Sequence, residues 1–216
     1  MPANAPIHSA CRNVLPVLPD WAAAVRKPVK RDRARAAVDL LSSDVARFRT
    51  LVEDLLEISR FDAGAVSPTL DELLTAEFVA QAVAVSSLPE TEVIVDERAA
   101  STLITGDRRR LARVIANLID NARIHGGGSA SVHVSVPSAD AEVSRVRIEV
   151  SDDGPGVPDE ERRLIFERFA RGGGAGRRRD NDGAGLGLAL VAEHVRLHSG
   201  SVWVETGPEG LGSNFV

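Results

Sequence analysis

Asn117 and Asn121 stand four residues apart in a stretch, Asp107 to His125, whose apolar residues recur at helical spacing. Residues four apart share a helix face, and His125 continues the row. Asparagine is a mediocre helix former, so two in register point to oxygen ligands aimed at one object. An asparagine oxygen can ligate Mg2+ while its amide reaches a phosphate. A polar surface face is the plainer alternative for this helix alone. Downstream, Asp152-Asp153-Gly154-Pro155-Gly156 directly follows a strand pattern. Its glycines let the backbone turn sharply and approach a flat ring. A carboxylate beneath such a ring accepts a hydrogen bond from an exocyclic amine, which adenine offers and guanine does not offer at the same place. An ordinary turn is the alternative, since Asp-Gly and Gly-Pro are common turn chemistry.

Gly183-Ala184-Gly185-Leu186-Gly187-Leu188 then opens an amphipathic stretch. Glycines and free amides at a helix N-terminus bind phosphate well. A dinucleotide fold would want this loop near a first strand with an acidic residue about 20 positions on, and Glu205 does not sit at a convincing strand end. No Gly-x4-Gly-Lys-Ser/Thr occurs, which excludes a P-loop. Residues 171–182 are rich in Gly and Arg and too poor in apolar residues to pack. They read as a lid over the phosphates, with Arg177, Arg178 and Arg179 available to meet charge. Phe166 and Phe169, just before it, read as packing residues. His194 and His198 are an i, i+4 pair without a third ligand nearby, and read as a helix-surface pair.

These groups need elements to hold them. Residues 1–32 carry prolines at 2, 6, 16, 19 and 28 and form an irregular arm. From 33 to 64 the strongest helical pattern follows: Val38, Leu41, Val45, Phe48, Val52 and Leu55 recur at alternating threes and fours, a heptad seam that needs partner helices. Leu51, Leu56 and Ile58 widen the stripe, and Gly64 stops it. Packing of this helix on its own domain is the plainer alternative. Residues 65–216 mix both patterns. Strands are expected at 66–70, 92–96, 102–105, 131–136, 145–151, 201–206 and 213–216. Helices are expected at 73–85, 107–125, 158–166 and 186–198. The fold class is α+β: a mixed sheet with helices on one face, an α/β sandwich preceded by one long amphipathic helix.

Composition narrows the classes. A net charge of −5 and 4% aromatic residues argue against nucleic-acid binding through a basic surface or stacking platforms. A single cysteine, Cys11, excludes an internal disulfide. No apolar run reaches a membrane span and no signal-peptide order opens the chain, so a cytoplasmic location is expected.

The order of the three segments resembles the ATP-binding domain of sensor histidine kinases, of the Bergerat (GHKL) superfamily. Leu55-Leu56-Glu57-Ile58-Ser59-Arg60-Phe61-Asp62-Ala63-Gly64 resembles the end of the second helix of the kinase dimerisation hairpin. The resemblance covers about residues 35–216. It implies ATP and Mg2+ as cofactors, Asn117 at the metal, Asn121 at phosphate and Asp152 under adenine. Gly154, Gly156, Gly183, Gly185, Leu186, Gly187 and Leu188 complete the nucleotide contacts. Ile124 stands where many members have a basic residue, and Arg123 is one position off. No histidine lies in the family's phospho-acceptor context; His8 lacks the Glu and the downstream Pro. The implied activity is transfer of the γ-phosphoryl group to a histidine on a partner chain, for relay to a response regulator. Residues 33–63 would dock that partner or a second copy. Three rivals remain: a gyrase- or chaperone-type ATPase, against which Arg113 stands where those place a water-activating Glu; an anti-sigma-type serine kinase, which lacks the helical seam; and a non-catalytic interaction module.

Overall fold

The computed structural model describes residues 31–137, 145–170 and 185–216, apart from the side chains of 31–34 and 209. The chain forms two compact units, Met1–Arg49 and Thr50–Val216.

In the first unit the described residues are the opening turns of helix α1 (Arg31–Asp62). Val38, Leu41, Val45 and Phe48 are 59–67% exposed there, so the seam read from the sequence lies open. No helix among the described residues is long and apolar enough to cross a membrane.

In the second unit α1 ends as expected at Gly64, whose φ of +62° suits glycine. Ala65 N donates to Arg60 O and Gly64 N to Phe61 O, each at 3.0 Å. This is a Schellman closure, which satisfies carbonyls the helix leaves open. Next come β1 (Asp71–Leu74), α2 (Thr75–Ala84), β2 (Glu92–Val95), α3 (Glu97–Ala100), β3 (Leu103–Gly106), α4 (Arg108–His125), β4 (Ser131–Ser135), β5 (Arg147–Asp152), α5 (Gly187–Leu197), β6 (Val204–Thr206) and β7 (Ser213–Phe215). β1 and β3 form an antiparallel pair. The other five strands form one mixed sheet in the order β2-β4-β5-β7-β6, parallel only between β2 and β4. Val132, Val134, Val150, Val204 and Phe215 point from this sheet into the core. They meet Phe78, Val79 and Val83 of α2, Ile115, Leu118 and Ile119 of α4, and Val191 of α5. Each such buried side chain contributes on the order of 1.5–3 kcal/mol. The alternate strand positions, among them His133, Arg147, Glu149 and Asn214, form a polar outer network.

Three local expectations are corrected. Residues 66–70 are not a strand: Pro68 has no N–H, and Thr69 N donates to Asp107 Oδ2 at 3.1 Å, so the ladder begins at Asp71. Leu73 belongs to that strand and is fully buried, so α2 starts at Thr75 rather than Leu73. Residues 158–166 form turns and one 3-10 turn (Leu164–Phe166), not a helix. Their bonds are mostly i to i−3, as in Glu161 N to Pro158 O at 2.9 Å and Glu167 N to Leu164 O at 2.9 Å. So short a segment gains little from helix propagation.

Candidate functional site

The site elements begin at the start of α4. Asp107 caps this helix: its Oδ1 accepts from Arg110 N at 3.1 Å. Burial pushes the Asp107 carboxyl up, but the Thr69 and Arg110 amides and the charges of Arg110 and Arg109 bring it below the usual value. The apolar face of α4, Val114, Ile115, Leu118, Ile119 and Ala122, is buried. This fixes the helix rotation and leaves Asn117 and Asn121 half-buried beside it. Asn117 Nδ2 donates to Gly187 O at 3.3 Å, so α4 meets the first residue of α5 at this asparagine. His125 ends the row and is exposed. Arg123 turns away to pair with Asp120 at 3.2 Å.

Asp152 closes β5 and is 5% exposed. Its Oδ1 accepts from Gly154 N at 2.9 Å and from Ser213 N at 3.2 Å. Burial raises its pKa, the two amides oppose that rise, and neighbouring Asp153 adds to it. Gly126, just past α4, packs so tightly here that a Cβ would fall 2.4 Å from Asp152 Cβ. A Cβ on Gly154 would fall 2.7 Å from Gly126 Cα. The end of α4 and the Asp152 turn are thus in backbone contact. Gly156 holds φ +77°, which only glycine adopts freely. A cleft of about 320 Å³ lies beside the turn, lined by Ser129, Ala130, Ser131, Ser151, Asp152, Asp153, Pro208 and Leu211. It reaches Asp152 but neither asparagine, so it is a separate hollow rather than the space between α4 and α5.

The third segment is described from Gly185 onward; Gly183 and residues 171–182 lie outside the described residues. Gly185 has φ +70°, and its carbonyl accepts from Phe169 N at 2.9 Å. Leu186, at the N-cap position of α5, offers no side-chain acceptor to the helix amides. An uncapped N-terminus carries free N–H groups and the positive end of the helix dipole. The two leucines contribute packing: Leu186 is buried with Leu190 and Ile58, and Leu188 packs against the main core. Only their backbone is left to meet a ligand. Phe166 packs edge-on against Phe215, with ring centroids 6.3 Å apart, as a packing residue should. Phe169 does not: it is 62% exposed with φ +62°.

Several residues read differently in the sequence have other roles here. The last turns of α1 pack on this unit, since Ile58 is 5% exposed and Leu51 and Phe61 lie against the same cluster. The stripe on α1 therefore has an intramolecular part as well as an open seam. Arg113 pairs with Asp54 and Glu57, and Arg110 Nη1 donates to Glu57 Oε1 at 2.9 Å. His194 is not on the surface: it is fully buried beside Glu57 and Phe61. Its spacing from the buried Leu190 and Val191 was the one sequence signal for this.

The likenesses to known proteins follow this geometry. The HATPase_c family, described as histidine kinase-, DNA gyrase B-, and HSP90-like ATPase, matches residues 106–216. Signal transduction histidine-protein kinase AfsQ2 of Streptomyces coelicolor is 36% identical over 174 residues, covering 81% of this chain and 31% of that protein. Signal transduction histidine-protein kinase/phosphatase MprB of Mycobacterium tuberculosis is 33% identical over 208 residues, covering 95% of this chain and 39% of that protein. The chain thus spans about a third of the length of these curated relatives. Full-length ShkA, crystallised in complex with AMPPNP, aligns with a TM-score of 0.65 at 28% identity, over 84% of this chain and 37% of that one. With the asparagine helix, the Asp152 turn and the start of α5 all inside the matched region, the chain belongs to the histidine kinase-, DNA gyrase B- and HSP90-like ATPase family, and its relatives there are sensor histidine kinases.

Proposed function

We propose that this chain is the ATP-binding catalytic part of a two-component sensor histidine kinase, passing the γ-phosphoryl group of Mg2+-ATP to a histidine on a partner chain. A response regulator is the next acceptor in that relay. The observation that carries the reading is the contact of Asn117 with Gly187, which sets a half-buried amide beside the uncapped start of α5. The family match, and a relative solved with an ATP analogue, support it.

In this reading Asp152 receives the adenine amine, and Gly154 and Gly156 let the chain approach the ring. Asn121 and the amides of Gly185, Leu186, Gly187 and Leu188 face the phosphates, and the resemblance adds Gly183, which lies outside the described residues. The donor set fits Mg2+. Asn117 spends its N–H on Gly187 O and keeps its amide oxygen, a hard neutral ligand, for a cation. When bound, the ion neutralises charge on the transferring phosphoryl group. In this reading the described residues position and hold rather than activate water. Arg113, at the position a gyrase-type ATPase gives to a carboxylate, is committed to Asp54 and Glu57.

The acceptor comes from elsewhere in this reading. Of the described histidines, His194 is buried, His198 is engaged by Asp107 N, and His133 sits between Asp96 and Glu149 on the outer sheet face. His125 is on the helix that lines the site. The open seam of α1 is the docking surface for the first helix of a hairpin, carried in this reading by the partner. Incubation with γ-labelled ATP, with and without a chain bearing that helix and its histidine, tests the whole reading. Label should appear on the partner's histidine; label on neither chain overturns it.

A further inference from the structure

The end of α1 is held by a polar cluster that the nucleotide reading does not use. Arg113 bonds both Asp54 and Glu57, and Arg110 bonds Glu57. Below them His194 of α5 is 0% exposed, with Nε2 3.5 Å from Glu57 Oε1. Its ring lies edge-on to Phe61, centroids 5.3 Å apart. Phe61 in turn belongs to an apolar cluster with Leu51, Ile58, Leu186 and Leu190. Neither nitrogen of the His194 ring has a hydrogen-bond partner among the described residues. A buried imidazole in that condition is costly as a neutral group and costlier as a cation.

We propose that this cluster is a proton-sensitive latch: the end of α1 stays docked on α4 and α5 while His194 is neutral, and is released when His194 takes a proton.

The charges facing the ring decide the direction. From α1 comes Glu57. From α4 come Arg110 and Arg113. From its own helix comes His198. Asp54 acts through Arg113, and Asp107 through Arg110, whose Nε is 3.3 Å from its carboxylate. Burial takes His194 down to about 4; Glu57 opposes this, and Arg110, Arg113 and His198 add to it. Two guanidinium groups already neutralise Glu57, so a third cation finds little unmet charge. Once α1 lifts, the ring is wetted and returns towards the ordinary value of about 6.5. Linkage between these states favours release by roughly tenfold on going from pH 7.5 to 5.5.

The latch uses its own stripe of α1. Leu51, Asp54, Ile58 and Phe61 recur at threes and fours, while Val52 and Leu55 of the seam sit one position on, about 100° round the helix, and stay 37% and 42% exposed. Docking and release therefore leave the seam untouched. Where α1 serves as the hairpin helix proposed above, release uncouples it from the nucleotide site; the latch itself does not depend on that reading.

The test uses the whole 216-residue chain without nucleotide. Amide hydrogen exchange of residues 54–62, corrected for the intrinsic rate, is measured at pH 7.5 and 5.5. Protection should drop about tenfold and stay well below that of core amides such as Val150, which marks the opening as local rather than global. His194→Leu should remove the drop, and His133→Gln, on the outer sheet face, should retain it. If His194→Leu fails to fold, NMR of the His194 ring in the unaltered chain serves instead, its titration running in step with the loss of protection. Equal protection at both pH values overturns the latch. So does a drop that persists in folded His194→Leu, or a ring that titrates while residues 54–62 stay protected. No arm reads ATP, so failure of the kinase reading leaves this outcome legible.

Discussion

The His198 ring accepts a hydrogen bond from the backbone N–H of Asp107 at 2.9 Å, and its Nδ1 donates to His194 O at 2.7 Å. The first bond joins the end of α5 to the cap of α4. Asn117 and Gly187 join the middle of α4 to the start of α5. The two site helices therefore lie antiparallel and are pinned at both ends of their contact. His198→Leu leaves the Asp107 N–H unpaired, at a cost of about 1–3 kcal/mol. Urea unfolding should show that loss; an unchanged midpoint would mean that water replaces the ring.

With Asp152 proposed to receive the adenine amine, ATP and ADP should bind more tightly than GTP. Asp152→Asn should weaken ATP by at least ~1.5–3 kcal/mol, the worth of a hydrogen bond to a charged group. Calorimetric titration reads this directly, and equal affinities for ATP and GTP refute the adenine assignment.

Asn117→Ala should remove Mg2+-dependent ATP binding. The helix itself should persist, since alanine is the better helix former. A variant that binds Mg2+-ATP normally but melts lower would make the Asn117 to Gly187 bond structural only.

The chain alone should not acquire acid-labile, base-stable phosphate from ATP. The proton of an acceptor histidine needs a neighbouring carboxylate to take it, and His8 has none in sequence. Addition of a first hairpin helix should restore transfer, and deletion of residues 33–63 should prevent it. Phosphate on this chain alone, lost in His8→Ala, would falsify transfer in trans.

Stability should fall with acid in a window set by His194. Its folded pKa, about 4, lies below its unfolded value, so its contribution is complete above about 6.5 and is lost as pH drops towards 4. The span corresponds to at most about 3 kcal/mol. Burial raises Asp152 and Asp54, and these work in the opposite sense, their contribution being lost as pH rises through their folded values. His133 is raised by its bond to Asp96 and also loses its contribution as pH rises, but it is half-exposed and weak. The difference between the unfolding curves of the natural chain and His194→Leu isolates the His194 slope. A flat difference from pH 7 to 4.5 would show that the ring is solvated in the folded chain.

Much of the fold was legible because it is local. The α4 period, the Asp107 cap and the Gly64 stop depend on residues within a few positions of one another, and local chain chemistry settles them. The glycines at 156 and 185 likewise announce backbone that other residues do not adopt freely, and Gly154 a close approach that leaves no room for a Cβ. What the sequence leaves open is which of two apolar stripes on α1 meets the domain, because neighbouring heptad rows look alike until a partner surface exists. That choice belongs to tertiary structure. Ile58 fits between Leu186 and Leu190, and Arg110 and Arg113 come within reach of Glu57 only when α4 and α5 lie side by side. Without a third ligand nearby, His194 reads as half of a helix-surface pair. It becomes a buried one because burial is set by what packs against a position from far along the chain, here Phe61 and Glu57.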